Sequence, residues 1–246
     1  MIFSTKQFLI ITNFERRGNQ FMALLGKLYR CMTRLRLQPI RIFCFHQVSE
    51  TFDTTSMWKC DWLSKEEFKN KIVQLQEEYT FISLEDAHMK LKNDIFRIRK
   101  YAVLTADDGS KTIECILPWL KARNIPVTLF LNGSYLNGKT YRETPAERYY
   151  TKDEILSLAQ DNITIGHHGW DHVDVKKQTV ESFMESIQKN IKALEKFPNN
   201  VPYWAYPYGG YTSYSDRILQ KYDLCPVYTD GQKNYNDPNR IHREIL

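Results

Sequence analysis

Apolar positions along this chain follow two periods. From Pro39 onward, short apolar runs bounded by turn residues alternate with stretches whose apolar positions recur every three or four residues. The first pattern reads as strand and the second as helix. Strands are expected at 40–45, 101–105, 127–131, 163–165, 201–206, 224–229 and 241–245. Ser64 is a good N-cap, and Glu67 three residues later completes a capping box, so a helix opens there with Phe68, Ile72 and Leu75 as its buried stripe. Further helices are expected from Ser83 to about Lys92, at 113–123 with a kink or break at Pro118, at 151–160, 180–197 and 213–221. Residues 132–150 read as a polar loop. Strands that alternate with helices pair in parallel through helical crossovers. The expected fold is therefore α/β: a closed or nearly closed β/α barrel, ahead of a doubly wound open sheet. Either one gathers its ligand at the C-terminal ends of the strands.

The 246 residues suffice for one sizeable core, and 42% hydrophobic with 13% aromatic content excludes a disordered chain. Mean hydropathy is −0.51, with no apolar run of membrane-spanning length. Cys31, Cys44, Cys60, Cys115 and Cys225 are odd in number and widely spaced, without a C-x-x-C pair. That argues against a disulfide framework or a cysteine zinc site and for a reducing compartment.

The formal charge of +5 is uneven. Residues 1–41 hold eight bases and one acid, whereas the remainder carries a net −2. The body therefore lacks the basic footprint of a nucleic-acid binder. Residues 1–38 read as an appendage. Its apolar run, 8–11, is shorter than a signal peptide requires, which points to the cytoplasm or the cytoplasmic membrane surface, although export by another route remains open. Leu24, Leu25, Leu28, Met32 and Leu35 share one helical face, and Lys27, Arg30 and Arg34 another. This helix either packs on the body or makes peripheral membrane contact through residues 22–38.

Three constellations follow expected strands. In Thr105-Ala-Asp107-Asp108-Gly109, one carboxylate can ligate a metal while the other stays free as a base. In Gly166-His167-His168-Gly169-Trp170-Asp171-His172, the histidines at 168 and 172 stand four apart, so one helical turn would present both to a single ion. Two histidines and a carboxylate suit catalytic zinc, with cobalt, nickel or iron as alternatives. In Trp204-Ala-Tyr206-Pro207-Tyr208-Gly209-Gly210, a rigid turn can aim a backbone N–H at a developing oxyanion, and the tyrosines offer stacking faces to a sugar. His46 ends the first strand, at the same barrel mouth.

With these motifs in this order, the chain from about residue 39 to 246 resembles the polysaccharide deacetylases, the NodB-type domain of carbohydrate esterase family 4. The opening strand that ends in His46 resembles the poly-N-acetylglucosamine deacetylase branch. The resemblance implies a distorted (β/α)7 barrel that removes N-acetyl groups from an N-acetylated oligo- or polysaccharide with a divalent metal. It implies Asp107 as base, Asp108, His168 and His172 as metal ligands, the Tyr208 N–H at the oxyanion and His46 as acid, in preference to His242. Tyr206, Pro207 and Trp170 would contact the substrate. Two positions depart from the family pattern. Ala106 replaces a phenylalanine, and Ala205-Tyr206 stands where an arginine orients the base; Arg243 on the last strand could supply that charge. Alternatives are a non-catalytic sugar-binding barrel, or an O-deacetylase or cyclic-amide hydrolase on the same scaffold.

Overall fold

The computed structural model describes residues 37–50, 62–94, 97–138, 148–158 and 162–246. The amphipathic stretch expected at 22–38 lies outside them, apart from Leu37 and Gln38. The chain divides into two compact units. In the smaller, the Gln38 N–H donates to the Arg97 carbonyl and the Arg97 Nε to that of Gln38, both at 2.7 Å. The larger holds all the elements that follow.

Strand β1 (Ile40–Phe45) leads into a small two-stranded sheet of β2 (Gln47–Ser49) and β3 (Trp62–Ser64). Helix α1 (Lys65–Glu78) starts on the expected capping box: the Ser64 hydroxyl accepts from the Glu67 N–H while the Glu67 carboxylate accepts from the Ser64 N–H. After β4 (Thr80–Phe81) and helix α2 (Leu84–Asn93) comes β5 (Tyr101–Ala106). The helix expected at 113–123 is broken. A 3₁₀ turn, Lys111–Cys115, precedes helix α3 (Leu117–Ala122), and Pro118 sits in the first turn of α3, where its missing N–H costs nothing. Next follow β6 (Val127–Leu131), helix α4 (Lys152–Leu158), β7 (Ile163–His167), helix α5 (Val180–Leu194), β8 (Asn200–Ala205), helix α6 (Ser215–Gln220), β9 (Cys225–Thr229) and β10 (Ile241–Ile245).

Seven parallel strands close a ring in the order β1-β5-β6-β7-β8-β9-β10, with β10 pairing back to β1; β4 adds a short eighth strand beside the start of β5. The architecture is a (β/α)7 barrel of the expected kind. Alternation along the strands sorts side chains into two layers. Ile40, Ile42, Val103, Phe130, Tyr203, Val227 and Ile241 form one cluster with Leu84, Ala87 and Leu91 of α2. Phe43, Phe45, Leu104, Leu129 and Ile165 pack in a second cluster with Phe68 and Ile72 of α1 and with Leu117 and Leu120 of α3. Both faces of these strands are thus buried, which explains why their sequences read as continuous apolar runs. Gly166 leaves room for a large residue: a Cβ there would stand 2.5 Å from the Phe130 ring.

Candidate active site

Four strand ends converge at one mouth. β5 ends at Ala106 and delivers Asp107 and Asp108; β7 ends at His167 and delivers His168; β1 delivers His46; β8 leads into the turn Pro207–Gly209. The Asp-Asp-Gly turn is left-handed at two successive residues, with φ of 69° at Asp108 and 73° at Gly109. Glycine carries the second at no steric cost, and aspartate tolerates the first better than most residues do. That reversal sends the two adjacent carboxylates in different directions.

Asp108 turns toward the histidines. Its Oδ1 lies 3.3 Å from His168 Nε2 and 3.1 Å from His172 Nε2. The two imidazoles are not presented by a helical turn, as their spacing suggested. They sit in an irregular loop that Gly169 (φ 84°) and His172 (φ 57°) bend back, and this curvature replaces helical periodicity. The buried His168 ring places Nδ1 2.9 Å from the Ala205 carbonyl. Donation there leaves the Nε2 lone pair facing Asp108, as metal ligation requires. Asn132 and Asn190 hold the loop from below. The Asn132 side-chain amide donates to the carbonyls of His168 and Gly169, at 2.5 and 3.2 Å. Asn190 accepts from the Gly133 N–H at 2.7 Å and meets His167 Nδ1 at 3.3 Å. His167 itself is buried against Trp204, and burial pushes its pKa down to about 4. It is a buried packing residue, outside the set that faces Asp108.

Asp107 turns into the barrel. Arg243 of β10, wholly buried, grips it through Nη1–Oδ1 at 2.7 Å and Nη2–Oδ2 at 2.8 Å. The same guanidinium donates to Thr105 and Thr229 and lies 5.0 Å from the centre of the Phe130 ring. Burial alone would raise the Asp107 carboxyl. The charge of Arg243, joined by His168, the paired hydrogen bonds and His46, holds it well below the ordinary carboxylate range. Asp107 is therefore an ionised, oriented carboxylate beside the two histidines. Burial also pushes Asp108 up, and the facing imidazoles of His168 and His172 overcome it, leaving this group well below the usual range too.

A cleft of about 490 Å³ opens over these groups. His46, Tyr135, Tyr149 and Tyr208 stand on its walls. Tyr208 is 67% exposed, with φ of 57°, and its ring lies 4.5 Å from that of His172. It is the second residue of its 3₁₀ turn, where an N–H has no partner within the turn. Across the cleft, Tyr135 and Tyr149 stack at 4.3 Å. Sequence reasoning treated both as loop residues; only the fold brings them to the mouth.

Of the three expected substrate contacts, only Tyr206 lines the cleft. Trp170 is absent from the cleft walls; its N–H donates to Ser186, and its ring edge faces Gly133. Pro207 is buried, with its ring toward Gly169. Tyr206 borders the cleft but is only 1% exposed, because its hydroxyl is tied to Asp216 and Ser215 of α6. His242 also faces away from the cleft groups: it pairs with Asp230 at 2.9 Å and stacks on Tyr228.

The ligand atoms of Asp108, His168 and His172 lie within 4.8 Å of one another. Asp108 Oδ1 is buried without a conventional hydrogen-bond partner. An oxygen in this state, opposed by two imidazole Nε2 atoms, fits a divalent cation.

Comparison with known proteins agrees with this geometry. Residues 97–227, a little over half of the chain, match the family described as Polysaccharide deacetylase. YxkH of Bacillus subtilis, a polysaccharide deacetylase by name, is 22% identical over 160 residues, which cover 64% of this chain and 54% of that protein. YlxY of the same organism is 24% identical over 102 residues, 42% of this chain and 28% of YlxY. The chain thus spans about half of one curated relative and about a quarter of the other. Among solved structures, IcaB from Ammonifex degensii superposes with a TM-score of 0.71 at 22% identity, over 85% of this chain and 91% of that one. The Streptococcus pyogenes deacetylase PplD, solved with acetate, gives 0.72 at 18% identity over 85% and 93%. At these identities the structural likeness is one of fold.

Proposed function

The chain belongs to the polysaccharide deacetylase family, and on that premise we propose that it removes N-acetyl groups from an N-acetylated glycan with a divalent metal, zinc foremost, held by Asp108, His168 and His172. One observation carries the reading: an aspartate and two imidazoles converge on one point, and a second aspartate, ionised and gripped by Arg243, stands beside it. A divalent ion held by the three ligands supplies a Lewis acid that acidifies water and polarises the acetyl carbonyl.

The chain's own groups supply the rest. Asp107 accepts the proton that the attacking water loses. Its pairing with Arg243 fixes where its oxygens point and keeps it ionised at neutral pH. The backbone N–H of Tyr208 donates to the acetyl oxygen as that atom gains negative charge. One such donor is typically worth about 3–4 kcal/mol. His46, on the cleft wall, gives a proton to the sugar nitrogen as the C–N bond breaks, so acetate and a free amine leave. Tyr135, Tyr149 and Tyr208 flank the cleft with rings suited to packing on sugar faces. The motif arginine that this chain lacks before Pro207 is the main ground for a non-catalytic barrel, and the contact between Arg243 and Asp107 favours the catalytic reading instead.

The test is acetate release from N-acetylglucosamine oligomers, with O-acetylated sugars as a comparison. Chelator-sensitive release from the N-acetyl substrates, lost in Asp107→Asn, is the expected result. Release that ignores chelator, full activity in Asp107→Asn, or release from O-acetyl sugars alone would overturn the reading.

A further inference from the structure

At the cleft, the proposed base and acid stand close to a side chain that the proposed reaction does not use. Cys44 of β1 is completely buried and free of any disulfide. Cys44 pairs with Thr105, and the Asp107 N–H donates to the Phe45 carbonyl at 3.0 Å. Residues 44 and 46 are two apart, as are 105 and 107, so the pleat turns Cys44, His46 and Asp107 to one side of adjacent strands. One ligand atom from each lies within 4.8 Å of the other two. His46 Nδ1 is buried and has no hydrogen-bond partner, an independent sign of an unfilled donor position. Arg243 takes one lone pair from each Asp107 oxygen and leaves another on each.

We propose that Cys44, His46 and Asp107 form a second, inhibitory metal site, selective for zinc and cadmium, that fills when metal exceeds one ion per chain. A thiol, an imidazole and a carboxylate suit these cations and not magnesium or calcium. Burial keeps the Cys44 thiol protonated in the metal-free chain. As the sulfur–metal bond forms, that proton leaves to solvent. The Arg243 charge opposes a cation here, so this site fills after the one at Asp108. An ion bound here takes the lone pairs of both base and acid, and the reaction stops. The inhibition rests on the function proposed above; the binding does not.

The experiment titrates the metal-stripped full chain with Cd²⁺ while following the ultraviolet thiolate-to-cadmium charge-transfer band. In parallel, acetate release is measured at one and at many equivalents of Zn²⁺, each variant relative to its own rate at one equivalent. The wild-type chain is expected to bind a second equivalent of Cd²⁺ with a rise in the band, and excess Zn²⁺ to slow it at least tenfold. Cys44→Ala, and Cys44→Ser as a variant that keeps the side chain's size, are expected to lose the second equivalent, its band and the inhibition. Cys115→Ala is expected to retain all three. A wild-type chain without the second equivalent, or Cys44 variants that keep band and inhibition, would overturn the proposal. If no chain releases acetate, the functional reading fails, while the difference in band between wild type and Cys44→Ala still decides the site.

Discussion

Arg243→Ala removes the positive half of a wholly buried ion pair. Asp107 is 3% exposed and Arg243 0%, so water cannot replace the two N–H···O bonds of 2.7 and 2.8 Å. Breaking such a pair from one side typically costs about 3–5 kcal/mol, because a buried charge is left uncompensated. For a domain of this size, about 2–4 °C per kcal/mol converts that to a fall in Tm of roughly 6–20 °C. The pH dependence has a definite sign. Asp107 is held below its unfolded value near 3.9, so its stabilisation is present above that pH and is lost as pH falls through the lower folded pKa. Without Arg243, burial dominates and the folded pKa rises. The folded variant then takes up a proton before its unfolded chain does, so acidification relieves part of its deficit and narrows the gap from wild type, while the acidic limb of its activity profile moves to higher pH. Denaturant melts of Arg243→Met, Asp107→Asn and the double variant measure the coupling directly. The double variant should be less damaged than the sum of the single changes by about 0.5–3 kcal/mol. Strict additivity would refute the argument, since it would mean that the two groups do not interact.

Other changes test the surrounding frame. In a Cys44→Ala background, His168→Ala should lower bound zinc from one ion per chain to near none by elemental analysis while thermal melting stays cooperative. Gly166→Ala puts a Cβ 2.5 Å from the Phe130 ring, which itself lies under Arg243; a loss of about 1–3 kcal/mol in denaturant melts is expected, with slowed acetate release. Ser64→Ala removes the α1 cap at a residue that does not line the cleft, so about 1 kcal/mol of stability should go while kcat/KM is unchanged.

What could be read from the sequence depended on the range of the signal. β1, β6 and β10 were legible to the residue, because a short apolar run between turn residues is a local pattern. The α1 capping box and the break at Pro118 are equally local. The strands β2, β3 and β4 were missed, since two or three residues are too few to reveal a period. The proposed ligand set stood in the sequence as a motif, but the shape of the His168–His172 loop did not. That shape depends on Gly169, on His172 in a left-handed conformation, and on Asn132 holding two carbonyls from another strand end. Asn190 and the stacked Tyr135 and Tyr149 gave no warning, because nothing in a polar loop or mid-helix asparagine tells which strand end it will meet. For Trp170 the converse holds: its place in the motif was legible, and the direction of its ring, toward Gly133, was not.

Anomalous diffraction from a crystal of the zinc-loaded chain, recorded at the zinc edge, probes the convergence of ligands most directly. The first ion is expected as a peak about 2.0–2.2 Å from Asp108 Oδ1, His168 Nε2 and His172 Nε2, with Asp107 still held by Arg243. A zinc-loaded crystal with no peak there, or with a peak that leaves any one of those three atoms unbound, would contradict the account.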